Sequence, residues 1–87
     1  NRIPAPNPSP EQALIQQEMR QTVNHAIMSL PLHHREMIVL RDINDFSYEE
    51  IAKICACETG TVKSRIARAR DALRDILKNA GITDWDD

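Results

Sequence analysis

The chain has 87 residues, of which 41% are hydrophobic and only 3% are aromatic. A chain of this length forms one small domain, and its core must come from aliphatic side chains. The formal net charge of -2 does not suit a protein that binds nucleic acid through overall basicity. No segment is long or apolar enough to cross a membrane and no signal peptide is visible, so we expect a cytoplasmic protein.

The first nine residues predict an extended linker. They include Pro4, Pro6 and Pro8, a composition that disfavours a folded element. Because the chain starts at Asn1 without Met, we expect an upstream domain that is missing here. We divide the chain into a linker remnant at 1–9, a folded domain at 10–80 and an acidic tail at 81–87.

Two helices are predicted in the first half of the folded domain. Residues 9–12 supply an N-cap serine, a proline at the first helical position and a capping-box glutamine. The apolar residues that keep helical spacing behind them are Ile15, Met19, Val23, Ala26 and Leu30. Pro31 ends this helix, and a second helix should run from about Leu32 to Ile43 before the polar turn at 44–45.

A short third helix is predicted from about Tyr48 to Cys55. Ser47 and Glu50 form a capping box at its start, which satisfies two backbone donors. Cys57 lies where a turn residue or N-cap is expected before the next helix. Gly60, inside the first turn of that helix, predicts a close approach of the backbone to a neighbouring helix or a DNA phosphate.

The fourth helix is the longest, from about Glu58 to Asn79, with Gly81 as a left-handed cap. Its apolar stripe, which must face a core, consists of Val62, Ile66, Ala69, Leu73 and Ile76. The residues on the opposite side are Lys63, Ser64, Ala67, Arg68 and Asp71. The sequence therefore predicts an all-α, four-helix domain that contains a helix-turn-helix.

For nucleic-acid binding, the distribution of charged residues along the chain matters more than the negative net charge. The basic residues of the last helix are Lys63, Arg65, Arg68, Arg70, Arg74 and Lys78. Long donors around the small Ala67 suit a helix that enters the major groove, while Arg65 and Arg70 fall on its flanks, where phosphates would lie. Spaced charges usually mark no more than a solvated face, but here a capped helix and a turn precede them, which favours DNA binding.

Several motifs together resemble the fourth conserved region of bacterial sigma factors of the extracytoplasmic-function group. The stretches that carry the resemblance are Leu30-Pro31, Arg35-Glu36, Leu40-Arg41-Asp42, 46–52, 60–66 and 69–73. It implies a domain that recognises the −35 promoter element while attached to core RNA polymerase. Members of this group are commonly held inactive by an anti-sigma protein, which the resemblance adds as a partner.

The resemblance also implies which residues contact DNA. Base edges would be read by Lys63, Ser64 and Arg68. Phosphates would be contacted by Arg41, Tyr48, Glu49, Thr61 and Arg65. Larger side chains are common in similar proteins at the position of Ala67, so the preferred promoter sequence is left open.

Metal binding and catalysis have weaker support in the sequence. Cys55 and Cys57 are too close together for the usual zinc spacing, and His25, His33 and His34 lie on other elements, so no metal or cofactor is expected. Arg41 could equally pair with Asp42 or Asp45. No catalytic constellation stands out, because the capping box already explains Glu50, and we do not expect an enzyme.

Two alternative functions stay open. The output domain of a response regulator also combines Glu-Ile-Ala with Gly-Thr-Val-Lys, although it lacks the Ser-Arg-Ile-x-Arg-Ala-Arg run found here through Arg70. The second alternative is a module that acts mainly by binding a regulatory protein through the apolar surface of its first three helices.

Overall fold

A computed structural model of the chain describes residues 9–82, which form four α-helices and one π-helical segment. Their bounds are α1 Pro10–Ser29, α2 Leu32–Ile38, the π segment Val39–Ile43, α3 Tyr48–Cys55 and α4 Thr59–Asn79. The prediction of an all-α helix-turn-helix domain is confirmed. No helix in the described part of the chain is long and apolar enough to cross a membrane.

Both predicted capping boxes are present. At the start of α1, the backbone N–H of Gln12 donates to the Ser9 hydroxyl at 3.1 Å, and its side chain accepts from the Ser9 N–H. At the start of α3, Glu50 N–H donates to the Ser47 hydroxyl at 3.0 Å, and the Glu50 carboxylate accepts from Ser47 N–H at 2.7 Å. These pairs fix where the two helices begin.

The second predicted helix is continuous but changes its winding. After Ile38 the backbone widens into the π segment, which ends where Asn44 N–H donates to the Val39 carbonyl at 2.9 Å. Phe46 N–H then donates to the carbonyl of Leu40 at 3.0 Å. Such widened turns are frequent at functional sites, and this one joins the end of α2 to the turn that precedes α3.

Helix α4 lies at the centre of the core. Its fully enclosed residues are Val62, Ile66, Ala69, Leu73 and Leu77. The predicted apolar stripe is confirmed except at its end, where Ile76 is half-buried and Leu77 takes the enclosed position. The other buried residues are Ala26, Ile27, Leu30, Met37, Ile38, Ile51 and Ala52.

The first half of α1 does not reach this core. Residues 10–21 are all exposed, including Ile15 at 58% and Met19 at 49%. Burial begins at Thr22 and Val23, which are both half-buried, and Val23 packs against the core. The helical spacing of apolar residues in α1 therefore includes residues, such as Ile15 and Met19, that do not pack against the core.

The turn between α3 and α4 differs in detail from the sequence prediction. Ala56 takes the left-handed conformation at φ 56°, and Cys57 N–H donates to the Ala52 carbonyl at 3.0 Å. The N-cap of α4 is Glu58, without a side-chain cap. Of the two alternatives that the sequence leaves open for Cys57, the structure shows the turn residue. Cys57 instead provides the second N–H of a Schellman cap on α3.

Two glycine predictions have different outcomes. Gly81 has φ +89°, and Ile82 N–H donates to the Leu77 carbonyl at 2.8 Å, so the left-handed cap of α4 is confirmed. A Cβ added at Gly60 would meet no atom of the described chain within 4 Å. The prediction that a neighbouring helix lies close to Gly60 is therefore wrong. Most of the predicted linker at 1–9 and of the predicted acidic tail at 81–87, including Trp85, lies outside the described residues.

Candidate nucleic-acid interface

One edge of α4 is open to solvent while the opposite edge is enclosed. We call Lys63, Ser64, Ala67 and Arg68 the recognition edge; all four are exposed. Behind them Val62 is 0% and Ile66 is 2% exposed. The core therefore holds α4 rigidly and leaves a protruding face with two cations, one hydroxyl and no bulky obstruction, as major-groove entry requires.

The Ser64 hydroxyl is engaged by its own helix. It lies 3.1 Å from the Thr61 carbonyl and 3.3 Å from the Gly60 carbonyl and donates toward them. Because its hydrogen is directed back at the helix, its oxygen faces outward as an acceptor. In this rotamer Ser64 is suited to accept from an exocyclic amino group of adenine or cytosine.

Lys63 and Arg41 converge on the ring of Tyr48. The Lys63 ammonium lies 5.8 Å and the Arg41 guanidinium 5.1 Å from the ring centroid. Arg41 Nη1 also donates to the Phe46 carbonyl at 2.8 Å and lies 3.7 Å from the Asp45 carboxylate. Of the two acids considered for Arg41, Asp45 is the one it approaches.

Arg65 is exposed about one helical turn from Arg68 of the recognition edge. Arg65 Nη1 is 3.9 Å from the Cys57 sulfur, and both arginines line a groove of about 870 Å³ between α2, α3 and α4. His33 and His34 also line this groove, with their ring centroids 4.1 Å apart. Burial lowers the pKa of His34 below its ordinary value, and the charges of His33 and Arg68 lower it further.

Arg70, which the sequence predicts as a flanking phosphate contact, is held in an ion pair with Asp42. Its Nε donates to Asp42 Oδ2 at 3.1 Å, and its Nη2 donates to the other carboxylate oxygen of Asp42. This two-point ion pair joins α4 to the π segment. The sequence pattern could not show it, because the two residues are 28 positions apart.

The remaining predicted phosphate contacts lie at helix starts. Tyr48 and Glu49 open α3, and Thr61 is half-buried in the first turn of α4. The first N–H groups of a helix have no partner within it, and they carry the positive end of its dipole. At Glu49 only the backbone N–H, not the carboxylate, could serve a phosphate.

The two cysteines lie at the end of α3 and in the turn that follows it. Cys55 and Cys57 are both half-buried free thiols. Across residues 9–82 no group of three or more His, Cys, Asp or Glu side chains could hold a metal ion.

The fold and the recognition edge define a helix-turn-helix domain of the DNA-binding class. Residues 20–73, more than half of the chain, match the family described as sigma-70, region 4. The chain belongs to this family. The match decides against the output domain of a response regulator.

Relatives with known names lie within the same family. The sigma-E factor of Escherichia coli K12, of the extracytoplasmic-function group, is 49% identical over 65 residues, which is 75% of this chain and 34% of that protein. The sigma-H factor of Pseudomonas aeruginosa is 43% identical over 70 residues, covering 80% and 36%. The chain thus spans about a third of the length of these relatives.

A solved structure is also similar. It is that of the sigma factor RpoE from Bartonella quintana in complex with the anti-sigma factor NepR. The superposition has a TM-score of 0.60 at 45% identity and covers 67% of this chain and 36% of that one.

Proposed function

We propose that this domain binds the −35 promoter element as part of an alternative sigma factor that directs RNA polymerase to start transcription in the cytoplasm. The observation that carries the proposal is the recognition edge, which protrudes from a helix whose opposite edge is fully enclosed. The family is not a catalytic class, and the domain acts by binding.

The proposal divides the contacts into two roles. Lys63, Ser64 and Arg68 read base edges in the major groove. The residues that fix register on the phosphates are Arg41, Tyr48, Glu49, Thr61 and Arg65. Phosphate contacts position the domain without carrying sequence information, so substitutions in the two groups have different effects.

A pair of arginine variants tests this division. Arg68→Ala should cost about 1–3 kcal/mol on the preferred duplex and relax preference at one base pair. Arg65→Ala should weaken binding to all duplexes alike and reduce the salt slope by roughly one. Fluorescence anisotropy with the preferred duplex, single-pair variants and random duplex measures both effects. If both substitutions weakened all duplexes equally, the assignment of Arg68 to base readout would be wrong.

Protein partners form the second part of the proposal: core RNA polymerase and an anti-sigma factor. The described surface supports this, because Leu32 is 62% and Ile54 57% exposed and Ile54 lines the groove. The solved relative was found with an anti-sigma factor. Ile54→Asp should weaken co-purification of the complete factor with a protein partner while leaving DNA affinity of this chain within about twofold.

The alternative, a module that only binds proteins, predicts a different result for the unmodified chain. Such a module would show no steep salt-dependent binding to any duplex. A titration against random and selected DNA at several salt concentrations therefore separates the two functions.

A further inference from the structure

The ring of Tyr48 lies where three elements of the interface meet. It belongs to the first residue of α3, is half-buried and packs against the core. The Arg41 guanidinium from the π segment is 5.1 Å from its centroid, and the Lys63 ammonium from α4 is 5.8 Å away. Both distances are within the roughly 6 Å over which an aromatic face attracts a cation.

The two cations depend on this ring to different degrees. Arg41 is held independently, because it also donates to the Phe46 carbonyl at 2.8 Å and approaches the Asp45 carboxylate at 3.7 Å. Within residues 9–82, Lys63 makes no hydrogen bond or ion pair through its ammonium. The ring of Tyr48 is therefore what restrains the long and otherwise mobile Lys63 side chain.

We infer that Tyr48 is a positioning residue for sequence readout: its aromatic face holds the ammonium of Lys63 in place before DNA arrives. The base preference at the pair read by Lys63 then depends on the ring of Tyr48, a residue that the proposed function assigns to phosphate contact. A restrained lysine loses less conformational freedom on binding and reaches fewer wrong acceptors. This role rests on the proposed function and differs from a phosphate contact, which uses the hydroxyl or the backbone N–H.

Two substitutions separate the ring from the hydroxyl. Tyr48→Phe keeps the ring, so affinity should fall to a similar extent on every duplex while base preference is unchanged. Tyr48→Leu removes the ring, so preference at the pair read by Lys63 should fall about two- to fivefold, the size expected for an exposed cation–π contact. Tyr48→pentafluorophenylalanine keeps the shape of the ring but withdraws its face charge, so it should reproduce this loss even if Tyr48→Leu fails to fold.

A double-mutant cycle identifies Lys63 as the group that is positioned. In a Lys63→Met background, replacing Tyr48 by pentafluorophenylalanine should cause no further loss of base preference. Lys53→Met is the matched control, because Lys53 is an exposed lysine on α3 with no contact to the ring. In that background the full two- to fivefold loss should persist.

The inference is overturned if the fluorinated ring leaves base preference unchanged, or if Tyr48→Phe reduces it as much as Tyr48→Leu. It is also overturned if the loss persists without Lys63. Failure of the proposed function is distinguishable, because the unmodified chain would then show no base preference at any pair before a variant is made.

Discussion

At the residue scale, the turn between α3 and α4 contains a strained position. Ala56 has φ 56° and ψ 50°, a region that costs residues with a Cβ about 1 kcal/mol or more and costs glycine little. Ala56→Gly should therefore raise the free energy of unfolding by about 1 kcal/mol, measured by urea denaturation.

The matched control makes the same chemical change in a helix. Ala67 is exposed in the interior of α4, where glycine is less favourable than alanine by about 1 kcal/mol. Ala67→Gly should thus destabilise the chain. The same sign of change at Ala67 and Ala56 would contradict the account of the turn.

Interactions between residues close together in the sequence were predictable, and interactions between residues far apart in the sequence were not. Ser47 and Glu50 are three positions apart, so their spacing alone indicated the capping box. The sequence predicts a phosphate contact for Arg70. It cannot show the ion pair with Asp42, because the two residues are 28 positions apart. Ala56 gave no signal, since alanine is not typical of a left-handed cap.

At the scale of elements, Arg35 of α2 ties this helix to the end of α1. Its Nη2 donates to the carbonyls of Met28 and Leu30, both at 3.1 Å, which would otherwise be unpaired at a helix end. Arg35→Met keeps most of the side-chain volume and should lower the free energy of unfolding by about 2 kcal/mol, as charge-assisted hydrogen bonds do. Thermal unfolding measures the loss, and Arg20→Met, at an exposed site on α1, should stay within about 0.5 kcal/mol.

The ion pair between Asp42 and Arg70 should anchor α4 to the π segment. Two hydrogen bonds join the residues, and the pair is partly shielded from solvent, since the side chain of Asp42 is 28% exposed and that of Arg70 is 36% exposed. Asp42→Asn should therefore destabilise the chain by about 1 kcal/mol. Asp71 forms an i,i+3 pair with Arg74 and is 72% exposed, so Asp71→Asn should cost less than about 0.5 kcal/mol. Equal losses in urea denaturation would show that the Asp42 pair has no special role.

The sequence predicted the helices better than it predicted what they contact. Pro10, Pro31 and Gly81 marked helix ends through local backbone chemistry. The spacing of Ile15 and Met19 indicated a helix, but nothing local shows that only the second half of α1 meets the core. The π segment was predicted as ordinary helix, because no residue type in 39–43 marks the wider winding.

At the scale of the whole molecule, DNA binding must depend on where charge lies, since the net charge is -2. Arg41, Lys63, Arg65 and Arg68 lie on or beside the recognition edge. If these four cations displace counterions, the logarithm of the binding constant should fall against the logarithm of salt with a slope of about −3.5. Anisotropy titrations on random duplex measure it, and a slope near zero would show that the domain does not use these cations.

A map of the residues that DNA touches would show directly whether α4 enters the major groove. Backbone amide signals of the isotope-labelled chain would be followed by NMR while the preferred duplex is added. The largest shifts should fall at 47–49 and 59–68, with residues 10–21 of α1 unchanged. Shifts concentrated in α1 or along α2, with the recognition edge unaffected, would contradict the claim that α4 enters the major groove.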